Sequence, residues 1–460
     1  MRNHRLRTLL FGVCLCAVPL AGVAGSRLPQ VQFTDQKLDN GLRVIIVPDH
    51  TAPVFAISVT YKVGSRYERP GRTGFAHLFE HMMFEGSENV GKGEHFILVL
   101  NNGGNMNGQT TEDRTNYFEA LPKNQLDLAL YLESDRMRSL AVTQANLDNQ
   151  RNAVQDERRL GIDNQPYGHA QLEIGNLAYD NFAYKHSVIG EMRDLDAASV
   201  DDVRNFFRIY YAPNNAVLTL VGDLDPAEAL EQVKKYFGSI PSQPAPPAVD
   251  LTEPPHYGER SETLTDPLAR LPLVVVAYHI PAGNTADNFA MQVLGDVLGK
   301  QGNQSSRLYQ HLVKDKQLGA QVFAGADDRT GPSLLYLFAI VRPGVKPEEC
   351  EKALIDEVAA LQKDGITPAE LAKAQAQDLH DQIQFVRQTD LSEATSMGED
   401  TALFDDPNLV NTWVEKYNAV TADQVKAAAA KYLVTNERVV ITDLPAPAQA
   451  NQAAEVKGGK

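Results

Sequence analysis

The chain has almost no cysteine. Three occur in 460 residues, and two of them, Cys14 and Cys16, fall in the first two dozen positions. Past that stretch only Cys350 remains, and one thiol cannot close an internal disulfide. A disulfide-stapled scaffold is therefore excluded, and packed cores must supply the stability. Cys350 stands between Glu349 and Glu351 with no histidine near it in sequence, which reads as a structural thiol rather than a nucleophile. A basic excess is missing too. With 43 Lys and Arg against 59 Asp and Glu, the net charge is −16, the opposite of a nucleic-acid-binding footprint. Long apolar runs are also missing. Leu9 to Ala21 is apolar but short of the roughly 20 residues a membrane-spanning helix needs, and no later stretch is long and apolar enough. Arg2, Arg5 and Arg7 precede it and Ala21-Gly22-Val23-Ala24 follows. Residues 1–24 thus read as a cleaved export signal, which makes the mature protein periplasmic or secreted.

What is present is the composition of a soluble globular protein, 43% hydrophobic and 22% charged. At roughly 100–200 residues per domain, the length suits two or three domains. Residues 37–47 carry an Asn40-Gly41 hairpin signal before a β-branched run, and Val54–Val63 is a second strand. Helical patterns are expected over 74–86, 123–140, 144–160 and 199–209, then a strand at 216–223. Pro226–Phe237 is a helix that Asp225 caps. Seven prolines fall in 241–267, which reads as a linker. Beyond it come strands at 273–279, 319–326, 334–341 and 438–444, with helices at 288–298, 347–363, 367–385 and 422–432. Phe206–Leu224 and Ala429–Leu444 repeat one pattern, a helix end with aromatic residues, an Asn, a β-branched strand and Asp-Leu. The expectation is an α+β fold of two related domains, 28–240 and 268–445, each a mainly antiparallel sheet packed with helices. A disordered tail over 446–460 follows from its Ala, Pro, Gln and Gly content.

The densest chemistry lies in Phe75-Ala76-His77-Leu78-Phe79-Glu80-His81-Met82-Met83-Phe84. Two histidines four apart on a helix share one face, one turn apart, so their imidazoles can hold one metal ion. Glu80 flanks that face and can take a proton from water at the metal without being a ligand. A third ligand is required, and the 144–160 helix offers Asp148, Asp156 and Glu157; spacing alone does not choose among them. His-x-x-Glu-His is the inverse of a zinc-peptidase motif. His95, His169 and His186 have no ligand-like spacing and read as surface or packing residues.

These motifs resemble, over roughly residues 30–445, the pitrilysin/insulinase family of inverted-motif zinc metallopeptidases. The likeness is strongest to its short-chain branch, which includes the mitochondrial processing peptidase and bacterial periplasmic proteins. Gly74-Phe75-Ala76-His77 leads into the metal helix and Met83-Phe84-Glu85-Gly86-Ser87 leaves it. Gly103-Gly104-Asn105-Met106-Asn107-Gly108-Gln109-Thr110 and Asp113–Phe118 follow, and Asn164–Gly168 also matches bacterial members. The resemblance implies one zinc ion per chain on His77, His81 and Glu157, with Glu80 as the general base. It implies that Asn107, Gly108, Gln109 and Thr110 form an edge strand that pairs with extended peptide substrates. Two positions depart from the family. Gln150 stands where a second Glu often supports the site from behind the ligands; it still donates and accepts hydrogen bonds. Active members also carry an Arg and a Tyr seven residues apart on a later domain facing the zinc; here the matching positions are Val313 and Ala320. Arg329 and Tyr336 share that spacing but read as β-hairpin residues. The expectation is a zinc endopeptidase acting as a heterodimer with a related subunit that supplies the Arg and Tyr. The alternative is a non-catalytic peptide-binding or scaffold subunit.

Overall fold

A computed structural model describes residues 28–300 and 302–447. The expected export signal and most of the expected tail lie outside the described residues. Two sheets organise the rest. In the first half the chain runs β1 (Thr34–Lys37), β2 (Arg43–Pro48), β3 (Val54–Tyr61), α1 (Phe75–Met82), α2 (Glu94–Asn101), β4 (Asn105–Thr110), β5 (Thr115–Pro122), α3 (Leu126–Arg138), α4 (Gln144–Arg158), α5 (Gly168–Ala178), α6 (Phe182–Lys185), α7 (Met192–Asp196), α8 (Val200–Tyr210), β6 (Ala216–Gly222) and α9 (Pro226–Phe237). The second half runs β7 (Arg260–Asp266), β8 (Leu273–Ile280), α10 (Ala286–Gly299), β9 (Gly319–Ala326), β10 (Ser333–Val341), α11 (Pro347–Asp364), α12 (Pro368–Asp381), α13 (Asp390–Phe404), α14 (Leu409–Asn418), α15 (Ala422–Tyr432) and β11 (Arg438–Pro445).

The strand orders are β1-β2-β6-β3-β5-β4 and β7-β11-β8-β10-β9. Without β1 they are the same sheet. Each has one parallel pair near one edge, β2 with β6 and β7 with β11, and is antiparallel elsewhere. The fold is α+β in two domains, and the repeated helix-to-strand pattern of the sequence is α8–β6 matched by α15–β11. The hairpin signal works as expected: Gly41 takes φ 89° between β1 and β2, a conformation L side chains resist. One expectation needs adjusting at its edge. Arg260–Asp266, read as part of the linker, is β7, paired with β11 from Arg260 onward. Its solvent-facing residues alternate weakly, so the stretch gives little strand signal by itself.

Each sheet buries both faces, and the central strands β6 and β8 are buried at every position. One face packs on helices of its own half. The other takes a helix from the opposite half. α13 lays Ala394, Met397 and Ala402 on Ile45, Ala56, Val217 and Val221, while α5 lays Ala170, Ile174 and Ala178 on Leu273, Val275 and Ile441. At roughly 25 cal/mol per Å² of apolar surface, this exchange ties the halves through core rather than through a hinge. Cys350 is fully buried on α11, and burial pushes its thiol up to about 11, which leaves it an inert core residue. No helix among the described residues is long and apolar enough to cross a membrane.

Candidate metal centre

The metal helix α1 has only eight residues, too few to be stable alone. It is held by packing and by an unusual cap. Gly74 begins it at φ 81° and has no side chain to offer the first N–H groups. Glu68 reaches in instead and accepts from the backbone N–H of Gly74 (2.9 Å) and Ala76 (2.7 Å). A buried carboxylate at a helix N-terminus satisfies orphan donors and complements the helix dipole. His186 Nε2 lies 2.9 Å from the same carboxylate, so that histidine supports the cap of α1. Phe75, Ala76, Leu78, Phe79 and Met82 bury the other face.

The polar face presents His77, Glu80 and His81. The two imidazole centroids are 4.8 Å apart at 81°, and one potential ligand atom from each of the three residues lies within 4.8 Å of the others. Helix α4 packs across α1 and brings one acid to this face. Glu157 Oε2 is 3.3 Å from His81 Nε2 and 3.6 Å from His77 Nε2. Asp148 and Asp156, the other acids considered on this helix, are occupied by Arg151 (2.7 Å) and Arg159 (2.6 Å). Two ligands on a tetrahedral ion at zinc–nitrogen and zinc–oxygen lengths of about 2.0–2.1 Å stand roughly 3.3 Å apart. The observed spacings match that figure, and two imidazoles with a carboxylate are a zinc donor set. The residues present fit the ion.

Hydrogen bonds behind the site fix the His81 tautomer. Gln150 Nε2 donates to Glu85 Oε1 (2.6 Å), so Gln150 turns its Oε1 to His81 Nδ1 at 3.2 Å. An amide oxygen only accepts; His81 Nδ1 therefore carries a proton, and Nε2, which faces the Glu157 carboxylate, is the nitrogen a metal ion would take. Lys92 Nζ closes the relay on Glu85 at 2.6 Å. This explains Gln150: a carboxylate there would face the carboxylate of Glu85. Burial, then the charge of His81, lowers His77 to about 4, so that ring is neutral. The same burial raises Glu80, an effect opposed by Thr110 Oγ1, which donates to Glu80 Oε2 at 2.6 Å. A carboxylate raised in this way is a better proton acceptor near neutral pH.

Strand β4 carries Asn107, Gly108, Gln109 and Thr110 as the outermost strand of the first sheet, paired only with β5. Its other edge offers unpaired backbone groups. The strand also passes tight against α1: a Cβ at Gly108 would sit 3.0 Å from Glu80 Cγ and Oε1. Beyond its end the loop is bolted to the second half. Asp113 accepts from Arg66 (2.8 Å), from the Tyr184 hydroxyl (2.8 Å) and from the Thr330 N–H (2.8 Å).

Arg329 and Tyr336 lie on the β9–β10 hairpin. Arg329 pairs with Glu112 (3.1 Å) and Asp327 (2.8 Å) and covers the rings of Tyr179 and Tyr184, and the Tyr336 hydroxyl donates to Asp327 at 2.7 Å. Arg329 thus ties the hairpin to the first half, and Tyr336 is held by Asp327 within the second. Val313 sits on the helical turn Tyr309–Asp315 and Ala320 on β9. Sequence reasoning assigned no role to Glu68 or Glu85: Glu85 stood inside the Met83–Ser87 motif without one, and Glu68 has a signal only in hindsight, as the acid preceding a helix that starts on glycine.

Residues 43–191 match the family model described as insulinase (peptidase family M16), and residues 197–377 match the model described as the peptidase M16 inactive domain. The chain is 33% identical over 378 residues to the zinc protease PqqE of Helicobacter pylori, covering 81% of this chain and 84% of that one. A solved protease from Helicobacter pylori superposes with a TM-score of 0.85 at 29% identity, over 90% of this chain and all of that one. The periplasmic protease PqqL of Escherichia coli shares the fold, with a TM-score of 0.74 at 20% identity, over 91% of this chain and 48% of that one. With the inverted zinc motif, the doubled sheet and these likenesses together, the chain belongs to the insulinase family of metallopeptidases, peptidase family M16.

Proposed function

We propose that this chain is an exported zinc endopeptidase that hydrolyses peptides or unfolded segments, and that it works as a heterodimer. His77, His81 and Glu157 would hold one zinc ion, and Glu80 would be the general base. The observation that carries this reading is the spacing of Glu157 from the two histidine Nε2 atoms, at 3.3 and 3.6 Å, with Glu80 beside them. When bound there, zinc supplies Lewis acidity toward a water molecule and a carbonyl oxygen. Glu80 takes the proton of that water and delivers it to the leaving amine. Thr110 holds the Glu80 carboxylate in place, and Gln150 keeps His81 in its ligating tautomer. The substrate backbone adds to the free edge of β4 along Asn107–Thr110, so main-chain pairing gives affinity with little demand on side chains.

The need for a partner rests on the two positions that match the family's Arg and Tyr. Val313 and Ala320 offer no side-chain donor, and Arg329 and Tyr336 are committed to Glu112 and Asp327. A related subunit supplies the missing Arg and Tyr to the developing charge on the scissile carbonyl. PqqL, matched here over 48% of its length, carries a further half within one chain. Its description as periplasmic accords with the export signal read over residues 1–24.

Zinc content tests the metal centre without the partner. The His81→Ala chain should hold about one equivalent less zinc than the wild type. Equal zinc in both would remove His81 from the site and move the weight to a peptide-binding subunit that does no chemistry.

A further inference from the structure

A second histidine pair lies at the seam between the halves, on the side of the second sheet away from its own helices. His256 is on the extended segment between α9 and β7, His279 is on β8, and Glu437 is in the turn entering β11. His256 and His279 are 4% and 8% exposed, with ring centroids 4.8 Å apart at 62°. Each ring rests one nitrogen on a carboxylate. His256 Nε2 is 3.3 Å from Glu253 Oε1, and His279 Nδ1 is 3.1 Å from Glu437 Oε2. Each ring keeps its other nitrogen, Nδ1 of His256 and Nε2 of His279, buried and without a hydrogen-bond partner.

Carboxylates accept, so each takes the ring N–H and leaves the opposite nitrogen as a bare lone pair. A buried imidazole with its N–H on a carboxylate and its lone pair unused is how proteins present histidine to a metal ion. Burial lowers His279, which keeps that ring neutral. Charge points the same way. Glu437, Glu253 and Asp180 gather here, Asp180 Oδ2 being 3.9 Å from His256 Nε2, and Arg260 pairs with Asp180 alone among them. Glu253 is itself fixed by the backbone N–H groups of Asp180 (2.6 Å) and Asn181 (3.1 Å).

The contrast is the buried group of His95, Glu119 and Glu133, which has similar residue types. There Arg136 donates to Glu133 and is fully buried, so the cation is already in place. Among the described residues no buried cation sits between the two rings at the seam, Arg260 reaching only Asp180.

We propose that His256 Nδ1 and His279 Nε2 bind a second divalent transition-metal ion, Zn²⁺ or one of similar ligand preference, with Glu253 and Glu437 orienting the two rings. The ring centroids are 4.8 Å apart, and one nitrogen of each ring and one Glu437 oxygen lie within 4.8 Å of one another. Side-chain rotations bring the two free nitrogens to the roughly 3.3 Å spacing of tetrahedral ligands. The ion is structural. It staples the interdomain segment to β8 and to the start of β11, beside the Asp180 turn of the first half.

The test uses the full chain carrying His77→Ala and His81→Ala, stripped with chelator and titrated with Zn²⁺ by calorimetry, with melting temperature followed in parallel. The expected result is saturable uptake of about one equivalent together with a raised melting temperature. His256→Asn or His279→Asn in that background should weaken uptake by at least about 100-fold, and Glu437→Gln by about 10-fold. No saturable uptake in the folded double variant overturns the proposal, whether or not the further variants fold. Uptake that survives both His256→Asn and His279→Asn overturns it as well. Failure of the first centre reads differently: the wild type would then lose zinc with His256→Asn and not with His81→Ala.

Discussion

Helices α1 and α10 occupy the same place in the two sheets. Each follows the strand third from the edge, β3 or β8, and each lies against the edge hairpin that comes next, β4–β5 or β9–β10. Their contents differ completely. α10 turns Phe289, Met291, Val293, Leu294, Val297 and Leu298 into the core and meets β9 through Gly295 and Gly299. A Cβ at Gly299 would fall 2.7 Å from the Ala324 nitrogen. In the first half the glycine is on the strand instead, and the space at Gly108 is filled by the Glu80 side chain. Close approach of helix and edge strand is thus a property of the shared frame. One half spends it on backbone packing, the other on placing a carboxylate beside an open strand edge. The lesson is that α1 carries its chemistry at no obvious cost to the fold, because its apolar residues do the packing that α10 does with its whole surface.

That comparison can be broken at several points. The largest effect is expected from Glu80→Gln, in the presence of the partner subunit. Loss of a general base should lower peptide hydrolysis by about 10²–10⁴-fold while zinc and peptide binding persist; hydrolysis at the wild-type rate would take Glu80 out of the chemistry. Next is Gln150→Ala, which frees His81 Nδ1 and leaves Glu85 with Lys92 alone of the two partners it has here. Zinc affinity should fall about 10–100-fold in a competition titration with a chelating dye. An unchanged affinity would mean that packing alone orients His81. In the other half, Gly299→Ala should cost about 1–3 kcal/mol in denaturant unfolding and leave the zinc affinity of the His77/His81 site untouched. A loss of zinc there would show the halves to be coupled beyond their shared core.

Much of this was legible in the sequence, for reasons that differ by element. The hairpin at Asn40-Gly41, the strand at 216–222 and the helix capped by Asp225 obey local rules, and local rules suffice for them. The metal helix was legible because two histidines four apart have few other uses in an apolar stretch. The candidate third ligand, Glu157, was legible only through the family resemblance, since Asp148, Asp156 and Glu157 differ by themselves only in which way α4 turns when it crosses α1. That crossing is tertiary. β7 was hidden for the same kind of reason: its strand character comes from β11, 179 residues later in the chain at every pair (439 − 260 = 179). The exchange of α5 and α13 between the halves leaves no local trace, because a helix buried on the far sheet has the same apolar stripe as one buried at home.

The smallest expected effect concerns the point where β4 and Glu80, the proposed base, touch. In Gly108→Ala the new methyl group meets Glu80 at 3.0 Å, so one of them must give by a few tenths of an ångström. β4 is held in register by β5 through six residue pairs and by the Asp113 anchor beyond its end. Glu80 is held on this side by Thr110 alone. The carboxylate should therefore move first and stretch the 2.6 Å bond from Thr110. Weakening a charge-assisted hydrogen bond by about 1 kcal/mol corresponds to roughly a fivefold loss of kcat. Peptide affinity should hold, because the strand edge stays where it was. A loss confined to KM would reverse the assignment, showing that the strand yields and that Glu80 is anchored more firmly than the edge to which the substrate binds.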